Sequence, residues 1–287
     1  MNESESKKVE NIVSERKFEL SVSPEGRKIR ERLEMECDKR ADVLRDALVD
    51  LKIPNELVSL KPPVFDRTDF GYTSDIDLVF FGTDKQKEEL YEKLYNSSVH
   101  PFIVQIDLAR LGEIQVKLPE LYEYLTQRRG NFPMKKLETG NPITDFWEEE
   151  PELDKSARAI LSSEDKLVLK EQRLEIGRRF VEEVKQRVPV VGYSFSGSTM
   201  GDMKRFGINS DLDIELLVDP KDEEDEKDIQ DWIHLYLNWK YAEQFSIKVD
   251  AMEISLDFAR QMISRDPKTV VWYEKKFGIN ASELKEK

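Results

Sequence analysis

The stretch Tyr193–Asp219 constrains the fold of this chain more than any other segment. Its pattern predicts a strand, a Gly197-Ser198 turn, a short loop or helix, and a second strand that opens at Ser210-Asp211-Leu212-Asp213. Because side chains alternate along a strand, Asp211 and Asp213 are expected on the same face. Neighbouring carboxylates repel each other, and a divalent cation such as Mg²⁺ is their usual neutraliser. A glycine–serine turn shortly before them would let a polyphosphate approach the backbone closely.

An earlier part of the chain repeats this pattern. Phe70–Asp77 aligns without a gap with Phe206–Asp213, and both segments end in Ser-Asp-x-Asp. The order of helix, strand, loop, acidic strand, helix and further strand is also shared. In each half the last of these strands is predicted to end in an aspartate, which makes Asp107 and Asp250 the candidate third carboxylates. We interpret the match as duplication of one module, since two modules of roughly 100 residues fit a chain of 287 residues.

The two copies are not chemically equal. By the same alignment, Lys61 and Pro62 stand where the second copy has its glycine–serine turn. Proline has no backbone N–H to offer a phosphate, and its ring restricts the turn. The first copy therefore keeps the acidic pair Asp75 and Asp77, and with Asp107 it forms a candidate degenerate second site. The chemistry is expected in the second copy.

The combination of Gly197-Ser198, the Ser-Asp-x-Asp strand at Asp211 and Asp213, and a later strand with Asp250 resembles the signature of the DNA polymerase beta-like nucleotidyltransferases. The resemblance implies an α/β (α+β) fold of two tandem nucleotidyltransferase domains, each a small mixed sheet packed with helices. It also implies an enzyme that moves a nucleoside monophosphate from an NTP to a hydroxyl acceptor, with Mg²⁺ or Mn²⁺ as cofactor. An RNA 3′ end is the favoured acceptor, and a protein side chain, a small molecule or a second nucleotide stay open.

The resemblance assigns a role to each main residue of the second copy. Asp211 and Asp213 would bridge two divalent ions that stabilise the entering and leaving oxygens together. Asp250 would complete the ion that activates the attacking hydroxyl. Gly197 and Ser198 would hold the β- and γ-phosphates through backbone N–H and hydroxyl donors.

Further residues of the same segment bear on nucleotide binding. Ser210 completes the predicted nucleotide site, and Lys204 or Arg205 would offset the charge of the triphosphate. Met200 stands where many family members carry an arginine, and Asp202 adds negative charge, so the expected affinity for a triphosphate is lowered. The alternative function is a non-catalytic nucleotide-binding, RNA-binding or assembly protein in which both modules are degenerate.

Changes in composition and the positions of glycine and proline residues divide the chain into four predicted segments. They are a polar tail over 1–20, a degenerate nucleotidyltransferase-like domain over 21–130, a linker over 131–165 and a domain with the complete motif over 166–287. The linker is rich in glycine and proline breakers. A structureless connection of that length is unusual inside one compact domain and fits better between two.

Charge and composition exclude several classes of protein. A net charge of −14 argues against broad, non-specific nucleic-acid binding but leaves a local basic channel open. One cysteine and two histidines exclude an intrachain disulfide framework and a His-rich metal site. No apolar run approaches the roughly 20 residues that span a bilayer, and the first residues lack the apolar core of a secretory signal. A cytoplasmic protein without membrane contact is therefore expected, with its oligomeric state open.

Overall fold

The protein is described by a computed structural model, which covers residues 40–60, 76–97, 99, 101–130, 161–201, 203–204, 206–207, 210–245, 247–280 and 284. These residues belong to two compact units, one in each half of the chain. Each unit contains a three-stranded mixed sheet packed with helices, which confirms the α/β character. The predicted tail and most of the predicted linker lie outside the described residues.

The sheet of the first unit consists of β1 (Val58–Leu60), β2 (Ile76–Phe80) and β3 (Pro101–Gln105). The central strand β2 runs antiparallel to β1 and parallel to β3. Two helices, α1 over 40–50 and α2 (Asp84–Tyr95), share one hydrophobic core with these strands. The first unit continues with α3 (Leu108–Lys117) and α4 (Pro119–Arg128).

The sheet of the second unit has the same topology. Its strands are β4 (Val190–Phe195), β5 (Leu212–Val218) and β6 (Val249–Ser255). The central strand β5 runs antiparallel to β4 and parallel to β6. Strand order and strand directions are therefore identical in the two units, as duplication of one module predicts.

Helices surround the second sheet, and the longest of them forms its main core contact. They are α5 (Ser163–Lys185), α6 (Gly197–Met200), α7 (Glu223–Trp232), α8 (Asn238–Phe245), α9 (Leu256–Arg265) and α10 (Thr269–Phe277), with a π-helical turn (Ile233–Leu237) between α7 and α8. A capping box between Ser162 and Asp165 satisfies free N–H groups at the start of α5. Gly177 of α5 lies so close to the Phe195 ring that a Cβ there would be 2.4 Å from it.

The two faces of the second sheet differ in polarity. Along β5, Leu212 and Ile214 are buried, whereas Asp213 and Glu215 on the opposite face are half-buried. At the far end of that polar face, Leu217 packs into a cluster with residues of α9 and α10. These helices therefore cover the C-terminal half of the face, and the half that carries Asp213 stays accessible.

Most predicted elements are confirmed, but three differ from the structure. The strand predicted to end at Asp107 ends at Gln105, because Asp107 instead caps α3 by accepting a 2.7 Å hydrogen bond from the Arg110 N–H. The strand predicted over 245–250 begins only at Val249, since α8 continues to Phe245, whose ring packs on Tyr241 one turn earlier. The sequence pattern also predicts one continuous helix over 226–240, and the structure interrupts it with the π-helical turn Ile233–Leu237. Within the described ranges, no helix is long and apolar enough to cross a membrane.

Candidate functional site

Three carboxylates share one face at the start of β5 and β6. In the parallel ladder Asp213 pairs with Asp250, so the two side chains are neighbours on the polar face. Asp211 precedes Asp213 by two residues and belongs to the same face. Burial raises the pKa of the Asp213 carboxyl, and the negative charges of Asp211 and Asp250 raise it further. The three aspartates of the second copy are therefore close enough for the charges of Asp211 and Asp250 to act on Asp213.

The donor set suits a hard divalent cation, but its side chains are not gathered around one point. Carboxylate oxygens are the ligands that Mg²⁺ prefers. The part of the chain that the structure describes nevertheless contains no group of three or more His, Cys, Asp or Glu side chains placed to hold a metal ion. Asp211 Oδ2 accepts a 3.3 Å hydrogen bond from Lys248 Nζ, so an ammonium group takes the place of a metal cation beside this carboxylate. The residues fit a divalent ion in chemistry and strand position, and their side chains must rotate to bind one.

The glycine of the predicted turn lies directly against Asp213. Gly197 has φ +63°, and a Cβ on it would be 1.6 Å from Asp213 Oδ2. The turn is fastened to β5 on both sides. Ser196 donates its N–H to the Asp213 carbonyl at 3.1 Å, and Thr199 Oγ1 donates to the Asp211 carbonyl at 2.9 Å. Only glycine meets both demands of this position, a left-handed backbone and contact with a carboxylate.

The other predicted nucleotide-binding residues are placed less uniformly. Ser198 is half-buried in α6, and Lys204 is exposed in the loop that follows. Ser210 closes a turn, because its Oγ accepts a 2.9 Å hydrogen bond from the Gly207 N–H and its own N–H donates to the Gly207 carbonyl. This gives Ser210 a structural function in addition to the predicted one. Arg205 lies outside the described residues.

A buried arginine that the sequence reasoning missed supports the same turn. Arg173 of α5 donates a 3.1 Å hydrogen bond to the Gly207 carbonyl, and its guanidinium lies 4.7 Å from the centre of the Phe206 ring. Burial lowers the pKa of Arg173 to about 10, and the negative charge of Asp211 opposes this shift. Arg173 therefore holds the loop that delivers Asp211 to the start of β5. Its place in a helical pattern of leucines and charges gave no sign of this role.

Lys248 is the second missed residue. Its carbonyl accepts a 2.9 Å hydrogen bond from the Leu212 N–H, which sets Lys248 beside Asp211 at the point where the ladder begins. A second ion pair, between Glu215 and Lys276 of α10, borders the same face further along β5. Lysine before a strand carries no recognisable sequence signal, and only the register of the parallel ladder brings it to Asp211.

In the described part of the first unit no carboxylate stands at the register position of Asp250, and Asp107, predicted to fill it, lies elsewhere. Asp77 pairs with Phe102, whose side chain is 59% exposed, where the second unit pairs Asp213 with Asp250. Asp107 lies five residues beyond Phe102, roughly 16 Å along the strand direction, where it caps α3. Asp75 lies outside the described residues.

The strand registers also shift the predicted counterpart of the glycine–serine turn by one residue. Leu60 pairs with Leu78 in the first sheet as Phe195 pairs with Ile214 in the second. Counting along the sequence from these pairs aligns Gly197 and Ser198 with Pro62 and Pro63, which lie outside the described residues, rather than with Lys61 and Pro62. The absence of a Gly-Ser sequence in the first copy is unchanged.

Comparisons of the chain with models of protein families, with curated proteins and with solved structures found no match.

Proposed function

We propose that the second unit is a metal-dependent nucleotidyltransferase that moves a nucleoside monophosphate from an NTP to a hydroxyl acceptor, with an RNA 3′ end favoured. The observation that carries this proposal is the in-register pair Asp213–Asp250 beside Asp211, next to the Gly197 turn. The identical strand order of the two units supports two tandem domains of one fold. In this reading the first unit is the degenerate partner, because Phe102 stands where a carboxylate is required.

Each residue of the site has a defined task in this reaction. The hydroxyl oxygen of the acceptor forms a bond to the α-phosphorus, the bond to the bridging oxygen breaks, and pyrophosphate leaves. Asp211 and Asp213 would hold the cation, which when bound supplies positive charge to the phosphate oxygens. Asp250, which the resemblance assigns to the metal ion, is exposed, and in this proposal its carboxylate instead accepts a hydrogen bond from the incoming hydroxyl and takes up its proton.

The Gly197 turn would contribute access and direction. A side chain at this position would occupy the space of the Asp213 carboxylate, so glycine keeps the approach to the carboxylates open. The hydrogen bonds from Ser196 and Thr199 fix the turn relative to β5. A polyphosphate lying along the turn would therefore have its α-phosphate close to the acidic face.

Label transfer tests the proposal. The full chain is incubated with each α-³²P-labelled NTP, Mg²⁺ or Mn²⁺, and single-stranded RNA, free nucleotide or no added acceptor. We expect transfer to at least one acceptor, and a loss of a hundredfold or more in Asp211→Ala and Asp213→Ala. The matched control is Asp257→Asn, a carboxylate on α9 whose side chain is 77% exposed. Transfer that survives both alanine variants would refute the catalytic assignment.

The second candidate function is a nucleotide-binding or assembly protein without catalysis. Two observations favour it: Asp211 is already paired with Lys248, and the first unit has a phenylalanine in place of the third carboxylate. It predicts NTP binding by calorimetry with no label transfer to any acceptor. The nucleotidyltransferase proposal predicts both binding and transfer, so one pair of measurements separates the two functions.

A further inference from the structure

Lys248 and Asp211 form an ion pair beside the candidate site, where β5 and β6 begin. Leu212 pairs with Val249 in the parallel ladder, so the residues that precede them, Asp211 and Lys248, are neighbours as well. Their charged atoms are 3.3 Å apart, and both side chains are partly exposed, at 41% and 53%. The pair immediately precedes Asp213–Asp250 on the same face. Lys248 and the carboxylates of Asp211, Asp213 and Asp250 therefore lie together where the two parallel strands begin.

Lys248 brings a positive charge to the face that carries Asp211, Asp213 and Asp250. Asp211, Asp213 and Asp250 place three negative charges at the start of the two strands, and the ammonium of Lys248 is hydrogen-bonded to one of them, Asp211. Glu215 has its own partner in Lys276. Lys248 therefore offsets part of the negative charge of this face, and a divalent cation bound by Asp211 would have to compete with the ammonium for that carboxylate.

We propose that Lys248 is a counter-ion that a divalent cation must displace from Asp211, and that the displaced ammonium then pairs with the phosphates of the incoming nucleotide. This inference rests on the proposed nucleotidyltransferase function and names a positioning residue for it. Its consequence is a coupled site. The metal alone binds weakly because it must break an ion pair, whereas the metal and the triphosphate bind together because the nucleotide receives the lysine.

Mn²⁺ binding to the full-length protein, followed by electron paramagnetic resonance, tests the first half of the proposal without any catalytic readout. We expect Lys248→Met to bind Mn²⁺ about four- to fifteenfold more tightly than the unmodified protein, the effect of removing one unit charge about 5 Å away under strong solvent screening. Lys248→Arg keeps the charge and should bind within about twofold of the unmodified protein. The matched control is Lys93→Met, which removes a comparably exposed lysine from an ion pair with Asp50 in the first unit.

The same titration in the presence of a non-hydrolysable ATP analogue tests the second half. Lys248→Met should bind the Mn²⁺–analogue complex several-fold more weakly, although it binds Mn²⁺ alone more tightly. Folding is checked by thermal unfolding, where loss of one exposed ion pair should shift the midpoint little.

The outcomes separate this inference from the proposed function. If Lys248→Met binds Mn²⁺ no more tightly than the unmodified protein, or binds the analogue complex equally well, the role of Lys248 is overturned while the site stands. If Asp211→Ala leaves Mn²⁺ binding unchanged, or if Mn²⁺ binds none of the proteins at millimolar concentration, the metal site itself is refuted. The opposite shifts in Lys248→Met, together with rescue by arginine, would establish the exchange.

Discussion

Replacing Gly197 with alanine should separate backbone strain from the placement of the Asp213 carboxylate. Gly197 has φ +63°, a conformation that costs an alanine about 1–2 kcal/mol. Its new Cβ would also lie 1.6 Å from Asp213 Oδ2 and 2.7 Å from Asp213 Cγ, which forces the carboxylate to rotate away. We therefore expect Gly197→Ala to lose about 1–2 kcal/mol of unfolding free energy, and to bind Mn²⁺ at least tenfold more weakly.

A second glycine of the same unit provides the control. Gly278 ends α10 with φ +66°, and a Cβ there would meet nothing within 4 Å. Gly278→Ala should therefore show the same loss of stability from the backbone, measured by urea unfolding, while Mn²⁺ binding stays unchanged. The difference between the two variants isolates the contact with Asp213.

A double-mutant cycle sharpens the argument. In an Asp213→Ala background the clashing atoms are gone, and the remaining Cβ of residue 213 lies at an ordinary 3.4 Å. Gly197→Ala should then cost only its backbone strain, as Gly278→Ala does, with any excess cost in the unmodified protein appearing as coupling energy. If Gly197→Ala and Gly278→Ala lose equal stability and both retain full Mn²⁺ affinity, the glycine serves the backbone alone and the reasoning fails.

Three further outcomes follow from the second unit. Because the raised pKa of Asp213 makes its ionised form unfavourable in the folded state, Asp213→Asn should be more stable at neutral pH by less than about 1 kcal/mol after solvent screening, and the gain should vanish in acid, as thermal unfolding across pH will show. Burial lowers the pKa of His234, but the 2.6 Å contact with Glu253 and the charge of Asp250 raise it, and the net pKa lies above 6.5. The stability that this pair contributes should therefore be lost as the pH rises through the folded-state pKa of His234, and His234→Gln should flatten that pH dependence. Asn238 donates to and accepts from the backbone of Ala251 at 3.2 Å, so Asn238→Ala should cost about 2–4 kcal/mol in urea unfolding, whereas a loss below 1 kcal/mol would show that water replaces both bonds.

The acidic face of the second unit was largely predictable because its signals are local. The period of a strand is enough to put Asp211 and Asp213 on one face. The link to Asp250 needed a second strand with an aspartate, and the sequence pattern found the residue although it misplaced the strand around it. The structure pairs Asp250 with Asp213, but Asp250 lies at the start of a strand that begins at Val249 and not at the end of one, as the pattern predicts.

The register of a parallel ladder has no comparable local signal, and that explains the errors. In the first unit the apolar run that ends in Asp107 predicts a counterpart of the Asp250 strand, but Asp107 is the cap of a helix. The pairing of Asp77 with Phe102 depends on how the crossover between β2 and β3 is packed, which no short motif encodes. Lys248 and Arg173 carry no sequence signal for the same reason, since tertiary structure alone brings Lys248 to Asp211 and Arg173 to the Gly207 carbonyl.

The two sheets share one topology but differ at the residue that stands in register with their aspartate. Both sheets present an aspartate at the second residue of the central strand, and both place a neighbour in register with it on the parallel strand. In the second unit that neighbour is Asp250, so two carboxylates repel each other, and a cation bound between them would relieve the repulsion. In the first unit Phe102 stands at that position, so the residue in register with Asp77 is an exposed aromatic ring rather than a second carboxylate. The two sheets thus differ at one ladder position in whether a second carboxylate stands beside the aspartate, and this difference leaves the pairing of the strands unchanged.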